Sequence, residues 1–110
     1  DARAQLNLGF MYDKGYGVTQ DYTEAARWYR RAAEQGNAKA QTNLANLYYY
    51  GKGVIKDIVY AHMWKNISAS NGRDKSREEL KTFEKEMTTS DISEAQRLAR
   101  ECVRKNYKGC

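Results

Sequence analysis

The chain has 110 residues, of which 41% are hydrophobic and 30% charged, and its formal net charge is +5. This length fits one domain of about six helices, and the composition is typical of a folded soluble protein rather than a disordered one. No apolar run approaches about 18 residues, so the sequence predicts no membrane span.

The first predicted element is a helix over residues 2–13. Ala4 and Leu8 recur there at helical spacing. Gly15 and Gly17 follow, and because glycine takes positive φ at little steric cost, they predict a sharp turn after the helix.

A second helix is predicted over residues 22–35. Asp21, followed three residues later by Glu24, is typical of a capped helix start. Gly36 stands where helices commonly end. The unit therefore reads as helix, glycine turn, helix, glycine turn.

The same unit returns at an offset of 36 residues. The two largest apolar side chains, Trp28 and Trp64, coincide in the alignment. We interpret both as core residues rather than ligand-stacking ones, with an expected loss of about 3–5 kcal/mol on truncation to Ala. The coinciding residues include Ala2/Ala38, Ala4/Ala40, Gln5/Gln41, Asn7/Asn43, Leu8/Leu44, Tyr12/Tyr48, Gly15/Gly51, Gly17/Gly53, Val18/Val54, Asp21/Asp57, Ala25/Ala61, Trp28/Trp64, Ala33/Ala69 and Gly36/Gly72.

A fixed period in this range indicates a stacked-repeat protein, in which each unit covers its apolar face with the next and leaves a long surface for a partner. We therefore predict an all-α, right-handed α-α solenoid. Because residue 1 already lies inside a repeat, we expect no signal peptide and a mature or trimmed chain.

The repeat pattern stops after residue 73. Residues 74–87 predict a charged amphipathic helix, and Thr88 with Asp91 predicts the capped start of a last helix over 89–105. Terminal units of repeat arrays are atypical because their outer face meets water. We expect one domain, with repeats at 1–37 and 38–73 and a C-terminal helical cap at 74–110.

The positive charge is concentrated in the second repeat, whereas the first repeat is neutral. A basic patch favours an anionic partner, although ordinary solvated lysines would give the same pattern. No run of basic residues with interleaved aromatics indicates a specific nucleic-acid site. The basic residues concerned are Lys39, Lys52, Lys56, Lys65 and Arg73.

The repeated frame resembles the Sel1-like repeat. It has the form A-x-A-Q-x-x-L, then Y-x-x-G-x-G-V-x-x-D, then A-x-x-W and A-x-x-G, and covers about two thirds of the chain. Residues 94–110 resemble the terminal segment of bacterial Sel1-like proteins. The second copy departs where Ala45 replaces Gly9 and where Lys65 replaces Tyr29. The resemblance implies an α-solenoid related in shape to tetratricopeptide repeats. It also implies that the protein acts as a protein–protein adaptor.

Cys102 and Cys110 are the only cysteines. A helix running through both would separate their Cα atoms by roughly 12 Å, beyond the roughly 7 Å that a disulfide tolerates. Asn106 and Gly109, however, could end the helix and let the tail fold back. Geometry thus leaves a disulfide and two free thiols open.

The family resemblance implies a Cys102–Cys110 disulfide, since cysteine-containing bacterial relatives carry a pair at this spacing. A disulfide in turn implies an oxidising compartment, namely the bacterial periplasm or the cell exterior. Two cysteines and one distant histidine do not make a zinc site, so no metal is expected.

The sequence offers little for catalysis. His62 is the only histidine, and it aligns with Ala26, an ordinary helical position. The glycine turns lack the lysine-serine ending of a phosphate-binding loop. We expect a protein without catalytic residues or cofactors that is not an enzyme.

The candidate partner-binding surface is one stripe of the first helix of each repeat, the helix that lines the concave side of helical solenoids. Asparagine amides can bond a peptide backbone, and tyrosine supplies contact area with few rotatable bonds. As an alternative, the tyrosines at 49 and 50 would pack on the C-terminal helices. The residues are Asn7, Phe10, Lys14, Asn43, Asn46, Tyr49 and Tyr50.

Three functions follow. The leading prediction is a monomeric scaffold that binds a protein or peptide on the concave face. The second is a small-molecule binder or weak hydrolase of the envelope, because cysteine-containing relatives have been associated with β-lactam binding. The third is a binder of an anionic polymer through the second-repeat lysines.

Overall fold

The computed structural model describes residues 1–110 and is all-helical. Its six helices are α1 (Ala2–Lys14), α2 (Tyr22–Ala33), α3 (Ala38–Tyr50), α4 (Ile58–Ser70), α5 (Lys75–Glu84) and α6 (Thr89–Arg104). Helices α1 and α2 pack together, as do α3 and α4, and α2 joins the two pairs by packing on α3. The predicted α-solenoid is confirmed.

The helix ends repeat as the sequence predicts. Asp21 and Asp57 begin α2 and α4, and each carboxylate accepts a hydrogen bond from the backbone N–H three residues on. Gly15 and Gly51 end α1 and α3 in the left-handed conformation, with φ of 71° and 69°. These local contacts give the two repeats equivalent helix starts and ends.

Small residues allow the helices to approach closely. Gly9 of α1 lies so near the ring of Tyr29 that an added Cβ would stand 2.5 Å from the Cδ1 atom of Tyr29. Tyr29, Leu44 and Trp64 are fully buried, and the alanines of α2 and α3 fill the space around them.

The two tryptophans differ in burial, so the prediction that both are core residues is wrong for Trp28. Trp64 is fully buried, whereas Trp28 is only half-buried and Tyr29 takes the core position of α2. The reason lies in their neighbours. Helix α4 packs against α3, α5 and α6, while α2 has substantial packing only against α1 and α3.

The last two helices both pack on α4. Phe83 of α5 is buried, as are Ala95, Ala99 and Cys102 of α6. The predicted capping box is present at the start of α6.

Candidate binding groove between α1 and α3

Two adjoining cavities lie along α1 and α3, with volumes of about 290 and 240 Å³. Both are bordered by Phe10 and Asn43, so they form one continuous depression. We call it the α1–α3 groove. Its first part is completed by Leu6, Asn7 and Lys39, and its second part extends to the turn after α3.

Six of the seven residues predicted to contact a partner border this groove. The two repeats contribute equally, because α1 and α3 present the same stripe at equivalent positions. The six residues are Asn7, Phe10, Lys14, Asn43, Asn46 and Tyr50.

Tyr49 lies elsewhere. Its ring stacks on Phe83 of α5 with centroids 4.4 Å apart, and its hydroxyl donates to Glu86. This bond raises the pKa of the Tyr49 hydroxyl. Tyr49 therefore follows the alternative, packing on the C-terminal helices, while the neighbouring Tyr50 stays 64% exposed.

Tyr29 forms part of the groove wall in the first repeat. Its hydroxyl donates to Oδ2 of Asp13 at 2.9 Å and lies next to Asn43. Burial, and then the Asp13 carboxylate, raise the pKa of Tyr29 far above its ordinary value. The phenol is thus a neutral link between α1, α2 and α3.

Lys65 occupies the corresponding position in the second repeat. Its side chain is 1% exposed, its ammonium donates to Oδ1 of Asn46 at 2.8 Å, and Glu79 lies 3.5 Å away. Burial lowers the pKa of Lys65, and Glu79 partly opposes that shift. Because Lys65 occupies the Asn46 oxygen, the amide N–H groups of Asn46 are left for another acceptor.

The predicted basic patch of the second repeat is divided. Glu79 pairs with both Lys65 and Arg73, the latter at 2.9 Å, so both cations are held at one carboxylate of α5. Lys39 and Lys52 are exposed and border the groove. Two of the basic residues predicted for an anionic partner therefore lie beside the residues predicted for a peptide partner.

Six residues that border the groove were not predicted from the partner stripe: Leu6, Asp13, Tyr29, Lys39, Leu47 and Lys52. Lys39 lies one helical turn before Asn43 and could have been found from spacing. Lys52 and Tyr29 come from the turn and from α2, so no single-helix periodicity connects them to the stripe.

His62 does not border the groove. It is 1% exposed, and its Nε2 lies 2.7 Å from a carboxylate oxygen of Glu84. The other ring nitrogen, Nδ1, is buried without a partner. The side chain is packed, as the sequence suggests for a helical histidine.

The C-terminal tail folds back, and Cys102 and Cys110 form the predicted disulfide, with Cα atoms 5.6 Å apart. Positive φ values at Asn106, Tyr107 and Gly109 make this reversal. The Tyr107 hydroxyl donates to Asn71, beyond the end of α4. The tail thus contacts the repeat stack beside the ends of α2 and α4, where Lys108 also donates to the backbone carbonyl of Glu34.

A comparison with known families decides the identity of the fold. The family model described as the Sel1 repeat matches residues 2–37 and 38–72. The chain belongs to the Sel1 repeat family. Proteins built of Sel1 repeats act as scaffolds for protein–protein interactions.

Two solved Sel1-type structures are similar to this chain. One is c5321, a protective antigen present in uropathogenic Escherichia coli strains, with TM-score 0.91, 34% identity, and coverage of 97% of this chain and 24% of that one. The other is a Sel1 repeat protein from Oxalobacter formigenes, with TM-score 0.72, 41% identity, and coverage of 74% and 62%.

A curated relative, chitin synthase regulatory factor 3 of Schizosaccharomyces pombe, is 51% identical over 35 residues. That stretch is 32% of this chain and 4% of the yeast protein. The chain thus spans 4% of the yeast protein and 24% of c5321, but 62% of the Oxalobacter formigenes protein. None of its six helices combines the length and hydropathy of a bilayer span.

Proposed function

We propose that this Sel1 repeat chain is a binding module, not an enzyme, which holds a peptide or an extended loop of a partner protein in the α1–α3 groove. This is the face that is concave in helical solenoids. The observation that carries the proposal is the joining of the two cavities at Phe10 and Asn43. Equivalent stripes of successive repeats thereby form one surface.

The chemistry of the groove suits a polypeptide. Phe10 and Tyr50 are 43% and 64% exposed. Large apolar side chains that cluster in a surface depression usually mark a contact site. The Asn7 amide and the N–H groups of Asn46 are available to bond a backbone. Tyrosine is among the residues that most often dominate the binding energy of protein interfaces.

The test is a calorimetric titration of a partner isolated from the native cell. Asn43→Ala and Tyr50→Ala should each weaken binding by about tenfold or more, since truncated interface tyrosines are frequent hot spots. Ile55→Ala is the matched control, because Ile55 is 90% exposed and lies outside the groove. Unchanged affinity in both groove variants would show that the groove does not bind this partner. A loss of affinity confined to Ile55→Ala would show that the partner binds another surface.

We also propose that the protein is bacterial and works as a monomer in the periplasm or outside the cell, with residues 74–110 as the helical cap. The disulfide supports this location, since such bonds persist in oxidising compartments. Thiol labelling in native cells before lysis is the test. Quantitative labelling of Cys102 and Cys110 would contradict an oxidising location.

A further inference from the structure

The α1–α3 groove has an uneven charge. Three exposed lysines border it, Lys14, Lys39 and Lys52, and none of them takes part in an ion pair. The one carboxylate at the groove is Asp13, and one of its oxygens is occupied by the Tyr29 hydroxyl. The groove therefore presents unmatched positive charge.

The cationic and apolar groups alternate. The Lys14 ammonium lies 5.9 Å from the centroid of Phe10, and the Lys52 ammonium lies 5.4 Å from that of Tyr50. Each exposed aromatic ring thus has an ammonium beside it. A ligand that covers a ring with an apolar side chain would bring its neighbouring side chains next to a lysine.

The other basic residues of the second repeat do not weaken this assignment. Lys65 and Arg73 share Glu79, and Lys56 lies over the ring of Tyr49, outside the groove. Lys39 and Lys52 are consequently the basic residues of the second repeat that border the groove without a carboxylate partner, next to its amides and aromatic rings.

We propose that the occupant of the groove is an acidic peptide segment, in which aspartate or glutamate residues flank an aromatic or large aliphatic side chain. This inference rests on the proposed function and names its ligand class. Charge complementarity mainly supplies specificity and association rate, while the rings supply contact area. A structureless polyanion would satisfy the lysines but leave the rings and the Asn46 amide unused.

The experiment has two steps. A displayed library of random short peptides is first selected on the immobilised chain, and binders that are lost on Tyr50→Ala are kept as groove-dependent. We expect these peptides to be enriched in Asp and Glu and to contain an aromatic or aliphatic residue. The most enriched peptide, labelled with fluorescein, then serves as the probe in anisotropy titrations.

In the titrations, Lys14→Gln combined with Lys52→Gln should weaken binding by about tenfold, since two exposed ion pairs are lost. Binding should also weaken with added salt. The matched control is Lys75→Gln with Lys85→Gln, which removes the same charge from two exposed positions, the first residue of α5 and the residue after its end. An equal loss in both double variants would overturn the inference in favour of a general charge effect.

The outcomes separate the two proposals. Groove-dependent peptides without acidic enrichment overturn the inference and leave the proposed function standing. A library that yields no groove-dependent binder contradicts both. An unrelated single-stranded oligonucleotide serves as a competitor for the peptide. If it displaces the peptide as well as unlabelled peptide does and still binds the Phe10→Ala variant, the lysines bind a polyanion and the inference is overturned.

Discussion

Gly9 and Tyr29 fit together only because position 9 has no side chain. A Cβ atom there would stand 2.5 Å from Cδ1 and 2.6 Å from Cε1 of the Tyr29 ring. The second repeat has Ala45 at the position of Gly9 and Lys65 at the position of Tyr29. The two departures between the repeats are therefore coupled, since a flexible lysine stem leaves room where a ring does not.

Gly9→Ala is expected to destabilise the protein by about 1–3 kcal/mol through overpacking, although the same change in an open helix stabilises by about 0.5–1 kcal/mol. Urea denaturation of the variant measures it. In a Tyr29→Ala background the ring is gone, so Gly9→Ala should become neutral or stabilising. The same cost in both backgrounds would show that the ring is not the cause.

Gly53 of the second glycine turn touches the preceding repeat. A Cβ at Gly53 would lie 2.3 Å from the Tyr22 carbonyl oxygen, whereas one at Gly17 would have only Met11 Cε at 3.9 Å. Both glycines have φ of 74°, so Gly17→Ala is a matched control for the backbone cost of about 1–2 kcal/mol. We expect Gly53→Ala to cost about 1–3 kcal/mol more. Similar unfolding midpoints for the two variants would mean that the repeats shift apart freely.

The two tryptophans should differ in their contribution to stability. Trp64→Ala removes a fully buried indole and should lower the free energy of unfolding by about 3–5 kcal/mol. Trp28 is half-buried, with the Arg31 guanidinium over its ring, and Trp28→Ala should cost about 1–2 kcal/mol. Chemical denaturation monitored by circular dichroism measures both losses of stability. A larger loss for Trp28→Ala than for Trp64→Ala would refute the burial argument.

The disulfide should stabilise the folded chain by about 2–3 kcal/mol, since it closes a short loop. Adding a reductant should therefore lower the melting temperature of the wild type. The double variant Cys102→Ser with Cys110→Ser should melt at that lower temperature and be insensitive to the reductant. A wild type whose melting is unaffected by reduction would show that the disulfide contributes nothing to stability.

Lys65 makes stability depend on pH. Burial lowers the pKa of its ammonium below 10.5, so the unfolded chain holds this proton more tightly than the folded chain. The resulting penalty is complete at neutral pH and shrinks as the pH rises through the lowered value, because stability increases with pH where the unfolded state binds more protons.

Lys65→Met is expected to raise the free energy of unfolding by about 1 kcal/mol or more at neutral pH, since Met fills similar space and Glu79 keeps Arg73 as its partner. The advantage over the wild type should diminish towards the pKa of 10.5 in the unfolded chain. Tyr29, whose raised pKa makes stability fall as the pH rises above 10.0, its value in the unfolded chain, is common to both proteins and cancels in the difference. A pH-independent difference would contradict the account.

Much of this architecture can be read from short-range patterns. Asp21 and Asp57 bond backbone groups three residues away, and Gly15 and Gly51 adopt a conformation that other residues resist. The residues that begin and end each helix can therefore be identified from the sequence next to that helix end. The 36-residue period then orders the helices into stacked pairs and predicts which stripe faces a partner.

Burial and charge pairing could not be read in this way, because they depend on which distant helix covers a side chain. Trp28 and Trp64 occupy equivalent positions, yet α6 covers the face of α4 and has no counterpart on α2. Tyr49 stacks on α5 while Tyr50 stays exposed, and Lys65 is buried with Glu79 of α5 3.5 Å from its ammonium. Local preferences specify helices and their order, whereas contacts between residues far apart in the chain select the side chains left for a partner.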